Sequence, residues 1–277
     1  MPDTTNISLA LGGGGARGIA HVHVLKAFDD LGVRPRQIAS SSIGSIVGAG
    51  YASGMSGANI EDYFLQTFSN RTAALGKLWK ARPDPMRALV SSNKSTAAFG
   101  QMDVEKILEV FLPKDMARDF ETLSIPLKIT ATDYYGNNLK ILETGDLRKA
   151  IAASAAIPVV FMPVIIDDCV LIDGGIINPL PFDLLDSRNK TVAVDVVGLP
   201  RGEQGTLPGR IDLGFGASQL LMQSITNIKL AASPPDLFLR PNVDAFRVLD
   251  FLKVKEILEA TKPIYNDTKI GLEKLLG

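Results

Sequence analysis

Three short stretches carry the side chains best suited to chemistry. The first is Ser40-Ser41-Ser42-Ile43-Gly44, a run of small residues where an apolar segment gives way to a helical pattern. A sharp strand-to-helix turn lifts one hydroxyl clear of a sheet edge, beside the positive end of the next helix, and needs small neighbours on both sides. Ser42 takes the apex, Gly44 supplies the close approach behind it, and Ser41 is the next candidate. Ser40 stands where the pattern G-x-S-x-G has its first glycine, which adds a hydroxymethyl group at the turn. A serine run that merely caps the following helix is the competing explanation.

The second stretch is Leu11-Gly12-Gly13-Gly14-Gly15-Ala16-Arg17-Gly18. Successive glycines at the end of a strand let backbone N–H groups converge on one point, and a helix start adds positive potential. Such a nest suits an anion, either the oxyanion of an acyl transfer or the pyrophosphate of a dinucleotide. Gly13, Gly15 and Gly18 satisfy G-x-G-x-x-G, so the nucleotide reading has to be weighed. It requires an acidic residue roughly 20 positions on, at the end of the second strand. That place holds Ser40, Ser41 and Ser42, which the acyl-transfer reading needs instead.

The third is Asp173-Gly174-Gly175, a carboxylate at the end of the apolar run Val170-Leu171-Ile172. An aspartate leaving a strand into a glycine turn is placed to face a crevice, although an ordinary turn aspartate has the same local sequence. A serine hydroxyl is a poor nucleophile until a base takes its proton. The chain has two histidines, His21 and His23. His21 falls with Val24, Leu25 and Phe28 on an apolar helical face and His23 on a more polar one, so both read as packed or solvated residues. The economical arrangement is then a Ser42–Asp173 dyad. It requires Asp173 to be buried enough to hold a proton more tightly than a free carboxylate.

Alternating strand and helix patterns must position these groups, and they predict an α/β fold with a largely parallel sheet. Residues 7–11, 37–39, 127–131, 139–142, 170–172 and 191–197 read as strands. Helices follow the glycine loop up to Gly32, follow Ser42 with core residues Ile43, Ile46, Val47 and Tyr51, and start behind Asp103 and Asp146 as N-caps. Residues 71–100 and 198–213 read as irregular. The former carries Arg71, Lys77, Lys80, Arg82, Arg87 and Lys94 against Asp84, with Trp79 interleaved. That mixture suits an anionic bilayer surface and a solvated loop equally. The apolar run Leu220-Leu221-Met222 is compatible with assembly or bilayer contact.

Apolar residues form 46% and charged residues 21% of the 277-residue chain, enough for a core on both sides of a sheet. A single domain over 1–277 is expected, with the motifs in 7–197 and 198–277 as its C-terminal part. Thirty acidic against 29 basic residues give no global field for nucleic acid. The lone Cys169 excludes an internal disulfide, fits a reducing cytosol, and reads as a buried strand residue. The N-terminus lacks the basic region of a signal peptide, and no apolar run nears the roughly 20 residues of a membrane span. These features predict a cytoplasmic protein, at most peripheral at a membrane.

Taken in order, Gly13-Gly14-Gly15-Ala16-Arg17-Gly18, Ser42-Ile43-Gly44 and Asp173-Gly174-Gly175 resemble the patatin-like phospholipase family. Ala20-His21-Val22, Ala153 to Pro158 and Asn178-Pro179-Leu180-Pro181 add to the likeness, which covers most of residues 7–197. The resemblance implies a three-layer α/β/α sandwich, a Ser42–Asp173 dyad without histidine, and an oxyanion hole of Gly13, Gly14, Gly15 and Arg17. Hydrolysis of phospholipid or other acyl esters follows, with no metal or organic cofactor. Two alternatives stay open: a nucleotide- or phosphate-binding α/β protein, and a weakly active lipid-binding member disabled by Ser40.

Overall fold

The computed structural model describes residues 6–68, 102–203 and 205–277. The basic stretch at 71–100 lies outside them. Eight strands form one sheet: β1 (Ile7–Leu11), β2 (Ile38–Ser41), β3 (Leu127–Asp133), β4 (Asn138–Leu142), β5 (Val164–Ile166), β6 (Cys169–Asp173), β7 (Lys190–Val194) and β8 (Leu237–Leu239). The hydrogen-bonded order is β5-β6-β3-β2-β1-β7-β8, with β4 also on β3. The neighbours from β3 through β8 run parallel, whereas β4, β5 and β6 pair antiparallel. The fold is therefore mixed α/β around a central sheet with a parallel core.

β1 shows why the parallel core reads as unbroken apolar runs: every residue of Ile-Ser-Leu-Ala-Leu is buried, because helices or loops cover both faces. On one face Leu9, Leu11 and Ile38 join the main core with α1 (His21–Asp30), α2 (Ile43–Ala52), α3 (Gly57–Phe68), α4 (Val104–Phe111) and α5 (Leu147–Ser154). On the other, Ala10, Ala39 and Ala193 stand side by side on three adjacent strands. They pack beneath Leu180, Phe182 and Leu185, with Leu230 of α6 (Arg210–Ala232) against the same cluster. α7 (Val254–Thr261) and α8 (Ile264–Leu276) close the chain on the first face.

Several local expectations shift. β2 runs to Ser41, so two of the three serines are strand residues. β5, β8, α7 and α8 carry weak sequence signals and were not anticipated. The irregular stretch from 198 gives way at Arg210 to a 23-residue helix. Cys169 is half-buried at the start of β6 rather than enclosed. His23 is buried too, its Nε2 2.8 Å from the Leu258 carbonyl, because α7 covers the flank that looked polar. Among the described residues no helix is long and apolar enough to cross a membrane.

The two caps form as read: Asp103 accepts from the Lys106 N–H and Asp146 from the Lys149 N–H. The small face of α2 lies directly on β1. A Cβ at Gly44 would sit 2.2 Å from the Leu11 carbonyl oxygen, whereas one at Gly48 meets nothing closer than 3.4 Å. Gly44→Ala is expected to lower stability by about 3 kcal/mol or more, since backbone on both sides must move. Gly48→Ala should stay within about 1 kcal/mol of wild type, helped by the helix preference of alanine. Chemical denaturation of the two variants checks the contrast.

Candidate active site

β3 has two edges: β4 takes one, and β2 and β6 share the other. Residues 129–130 pair with β2 on one side and β4 on the other, while residues 131–133 pair with β4 and with β6. β6 must therefore lie on the edge that β2 has just left. Ser41 is the partner of Thr130 and Asp173 the partner of Ala131, so two strands running in opposite directions end against each other. Ser42 and Asp173, 131 positions apart in sequence, meet there.

The Ser42 hydroxyl donates to Asp173 Oδ2 at 2.6 Å. Ser42 has φ 51° and ψ −123°, a left-handed conformation that a non-glycine residue holds only when its surroundings fix it. Three contacts do so. Its N–H donates to the Ser154 hydroxyl at the end of α5 at 2.8 Å, and its carbonyl accepts from the Ser45 hydroxyl at 2.5 Å and the Ser45 N–H at 2.8 Å. Neither Ser45 nor Ser154 is among the site residues expected from the sequence. A serine one turn after the apex was the available signal for Ser45.

Ser40 does not occupy the bend. It sits in extended β2, fully buried, donating its hydroxyl to the Lys128 carbonyl at 3.3 Å. The added hydroxymethyl group is thereby accommodated without any need for glycine. Ser41 Oγ is buried and meets no hydrogen-bond partner, so nothing there takes its proton.

Asp173 is 7% exposed. Burial pushes its carboxyl up to about 6, the dominant cause, while hydrogen bonds from Ser42 and the Gly175 N–H pull the other way. That N–H donates to Oδ1 at 2.7 Å, so each carboxylate oxygen has one donor. The main chain is fixed as well: Asp173 N–H donates to the Ala156 carbonyl at 3.1 Å, and its carbonyl accepts from Thr132 Oγ1 at 2.9 Å. Gly174 packs directly on the Thr130 carbonyl, where a Cβ would lie 2.2 Å away.

The glycine loop borders the hydroxyl. Gly13 lies against Ser42, 3.2 Å from an ideal Cβ to the serine Cβ, and Gly18 packs on Ile43. The Gly13 N–H, however, donates to the Pro179 carbonyl at 2.9 Å, and the Ala16 N–H to Val248 at 2.8 Å. Among the described residues the N–H groups of Gly14 and Gly15 have no such partner, and Gly15 takes φ 61° to aim the loop. Of the three glycines read as donors, Gly13 is therefore already engaged. Arg17, also read as part of that site, points elsewhere. Its buried guanidinium is turned to the C-terminal segment, donating from Nε to the Phe246 carbonyl at 2.7 Å and packing on Gly198. It holds the loop from outside, and nothing in the sequence beyond 198 announced those partners.

His21 lies behind the loop. Its Nε2 is 3.0 Å from the Gly12 carbonyl, an acceptor only, so that nitrogen carries the proton. Complete burial lowers its affinity for a second proton to about 4, which keeps the ring neutral. Among the described residues it makes no hydrogen bond to Ser42. Of two cavities nearby, an apolar one of about 60 Å³ begins at Ile43, and a larger one of about 860 Å³ runs over Arg17, Gln219 and Val248.

Comparison with known proteins identifies the family. Residues 9–186 match the sequence model of the patatin-like phospholipase family. An uncharacterized NTE family protein of Mycobacterium tuberculosis is 34% identical over 198 residues, 71% of this chain and 50% of its own length. Patatin-like phospholipase domain-containing protein 6 of Homo sapiens is 28% identical, and lysophospholipase NTE1 of Coccidioides immitis 27%, over 91% and 92% of this chain. The chain spans half of the mycobacterial protein and less than a fifth of the fungal one. VipD from Legionella pneumophila, 14% identical, superposes with a TM-score of 0.52 over 99% of this chain and 67% of its own, a likeness of fold. The chain belongs to the patatin-like phospholipase family.

The raised proton affinity of Asp173 has a consequence for stability. The folded carboxyl holds its proton more tightly than the unfolded one, so this group's contribution to stability is fully present below about pH 4 and is lost as pH rises through about 6. Above that, the buried charge costs on the order of 3 kcal/mol. Asp173→Asn, which keeps the shape without the charge, is expected to unfold at a higher temperature than wild type at pH 8 and at nearly the same temperature at pH 4. Thermal unfolding at the two pH values measures it.

Proposed function

We propose that the chain is a lipid acyl hydrolase that works through an acyl-enzyme on Ser42, with Asp173 as its base. The observation that carries this reading is the 2.6 Å hydrogen bond from the Ser42 hydroxyl to Asp173. Family membership supplies the substrate class, acyl esters of phospholipids or related lipids, and the length of the relatives leaves open what a longer protein would add.

The steps follow from the site. Asp173 takes the Ser42 proton as Oγ attacks the ester carbonyl, and the N–H groups of Gly14 and Gly15 receive the oxyanion. Asp173 returns the proton to the departing alcohol. Water then attacks the acyl-serine, Asp173 accepting its proton and passing it back to Ser42 as the fatty acid leaves. A base near 6 is deprotonated at neutral pH yet keeps enough proton affinity for the task, which an exposed carboxylate lacks. His21 has the smaller part of holding Gly12 in place. No step requires a metal or organic cofactor, and residues 1–277 are taken to act as one catalytic unit.

The nucleotide reading has less behind it. β2 ends in serines instead of an acid, and the amides of Gly13 and Ala16 already serve carbonyls. The idea of a member disabled by Ser40 loses its motive, since that side chain lies in the strand with its hydroxyl bonded.

A fluorophosphonate probe is expected to label Ser42, read by peptide mass spectrometry. Ser42→Ala and Asp173→Asn should each lower kcat on an activated ester by about 10⁴-fold, with folding intact by circular dichroism. For wild type, kcat/KM should fall tenfold per pH unit below about 6, as Asp173 takes up its proton. Labelling at Ser41, or an activity loss in His21→Ala equal to that of Ser42→Ala, would overturn the dyad.

A further inference from the structure

α6 is built inside out. Its buried residues are Gly216, Gln219, Gln223 and Thr226, while Leu213, Leu220, Leu221 and Ile228 are 59%, 56%, 67% and 68% exposed. A helix lying on a globular protein ordinarily shows the reverse. Apart from Leu230 on the second apolar cluster, hydrogen bonds fix its inner side. The Gln223 amide donates to the Val197 carbonyl at 2.6 Å and to buried Asp195 at 3.2 Å, and Arg240 bridges Asp195 and Gln223. One turn before the end, Lys229 donates to Asn178 and the Leu180 carbonyl, both at 2.6 Å, and pairs with Asp183. These anchors set the rotation of the helix about its axis, so its leucines cannot roll inward.

From Leu213 to Ile228 there is no charged residue. That stripe is about 24 Å long and roughly one helix width, ~10 Å, across. It is about a third of the ~800 Å² per partner of a standard protein interface, too little to hold two copies together by itself. A single uncharged helix face is, however, what lies flat at the boundary between lipid headgroups and acyl chains. The flank of the same helix touches the candidate site. Met222 Sδ sits 3.2 Å from where a Cβ of Gly175 would be, and the Gly175 N–H holds Asp173.

We propose that the outer face of α6 is the surface by which the chain seats on a lipid aggregate, bringing the dyad to the level of the ester. This rests on the lipid hydrolase reading for its purpose, but its test does not. The full chain is sedimented with large phosphatidylcholine vesicles, beside Leu221→Gln/Ile228→Gln and the control Leu221→Met/Ile228→Met, and each is assayed on a soluble butyrate ester. Wild type and the methionine variant should sediment. The glutamine variant should bind at least tenfold more weakly, with turnover of the soluble ester unchanged.

Wild type that stays in the supernatant would overturn the proposal. So would a glutamine variant that binds as well as wild type, or one whose sole change by size-exclusion chromatography is loss of a dimer. Vesicle binding that follows the pattern without ester turnover in any of the proteins would uphold the surface and reject the hydrolase reading.

Discussion

The arrangement depends on how β3 is shared. Its two edges offer fourteen backbone groups' worth of pairing to only three strands, and one edge is divided end to end between β2 and β6. Because the two dividing strands run in opposite directions, both C-terminal ends arrive at one point. Pairing register is set by backbone hydrogen bonds and by which face each side chain must bury, so the meeting of Ser42 with Asp173 is fixed to within one residue. A slip of one position in either strand would turn the following residue to the opposite face of the sheet.

Backbone and side chain are both restrained around that point. Ser42 is held in an unfavourable conformation through its own N–H and carbonyl, Asp173 through its N–H, carbonyl and both carboxylate oxygens. The loop carrying Gly14 and Gly15 is tied at Gly12, Gly13 and Ala16 to three separate segments. A hydroxyl and a carboxylate pre-set in this way need no reorganisation when charge develops. Burial does the remaining tuning, since it is desolvation that raises the proton affinity of Asp173 against the opposing pull of two hydrogen bonds.

Much of this was legible in the sequence because the chemistry and the backbone geometry make demands on the same residues. Gly44 is small because α2 touches Leu11, and the glycines after Asp173 let a neighbouring strand approach. The parallel strands announce themselves as apolar runs since both faces are covered. What escaped notice has equally physical reasons. Three-residue strands such as β5 and β8 are too short to show a period, and the partner of Arg17 lies 229 positions away, in a segment without a motif. The outward face of His23 was misjudged because a helix from the far end of the chain covers it. The extended conformation of Ser40 could be told from the bend at Ser42 only once β2 had a register.

The route by which Asp173 arrives has a further meaning. The serine belongs to the parallel core, whose strands are buried on both sides. The carboxylate comes in on a short hairpin, β5–β6, that touches the core through three register pairs on β3. Elements of that kind open at lower free energy than central strands. When the hairpin lifts, the hydroxyl keeps its place but loses its proton acceptor. On the proposed mechanism a frayed chain keeps its serine without its base, so the hydroxyl becomes reactive only where β5–β6 is docked on β3.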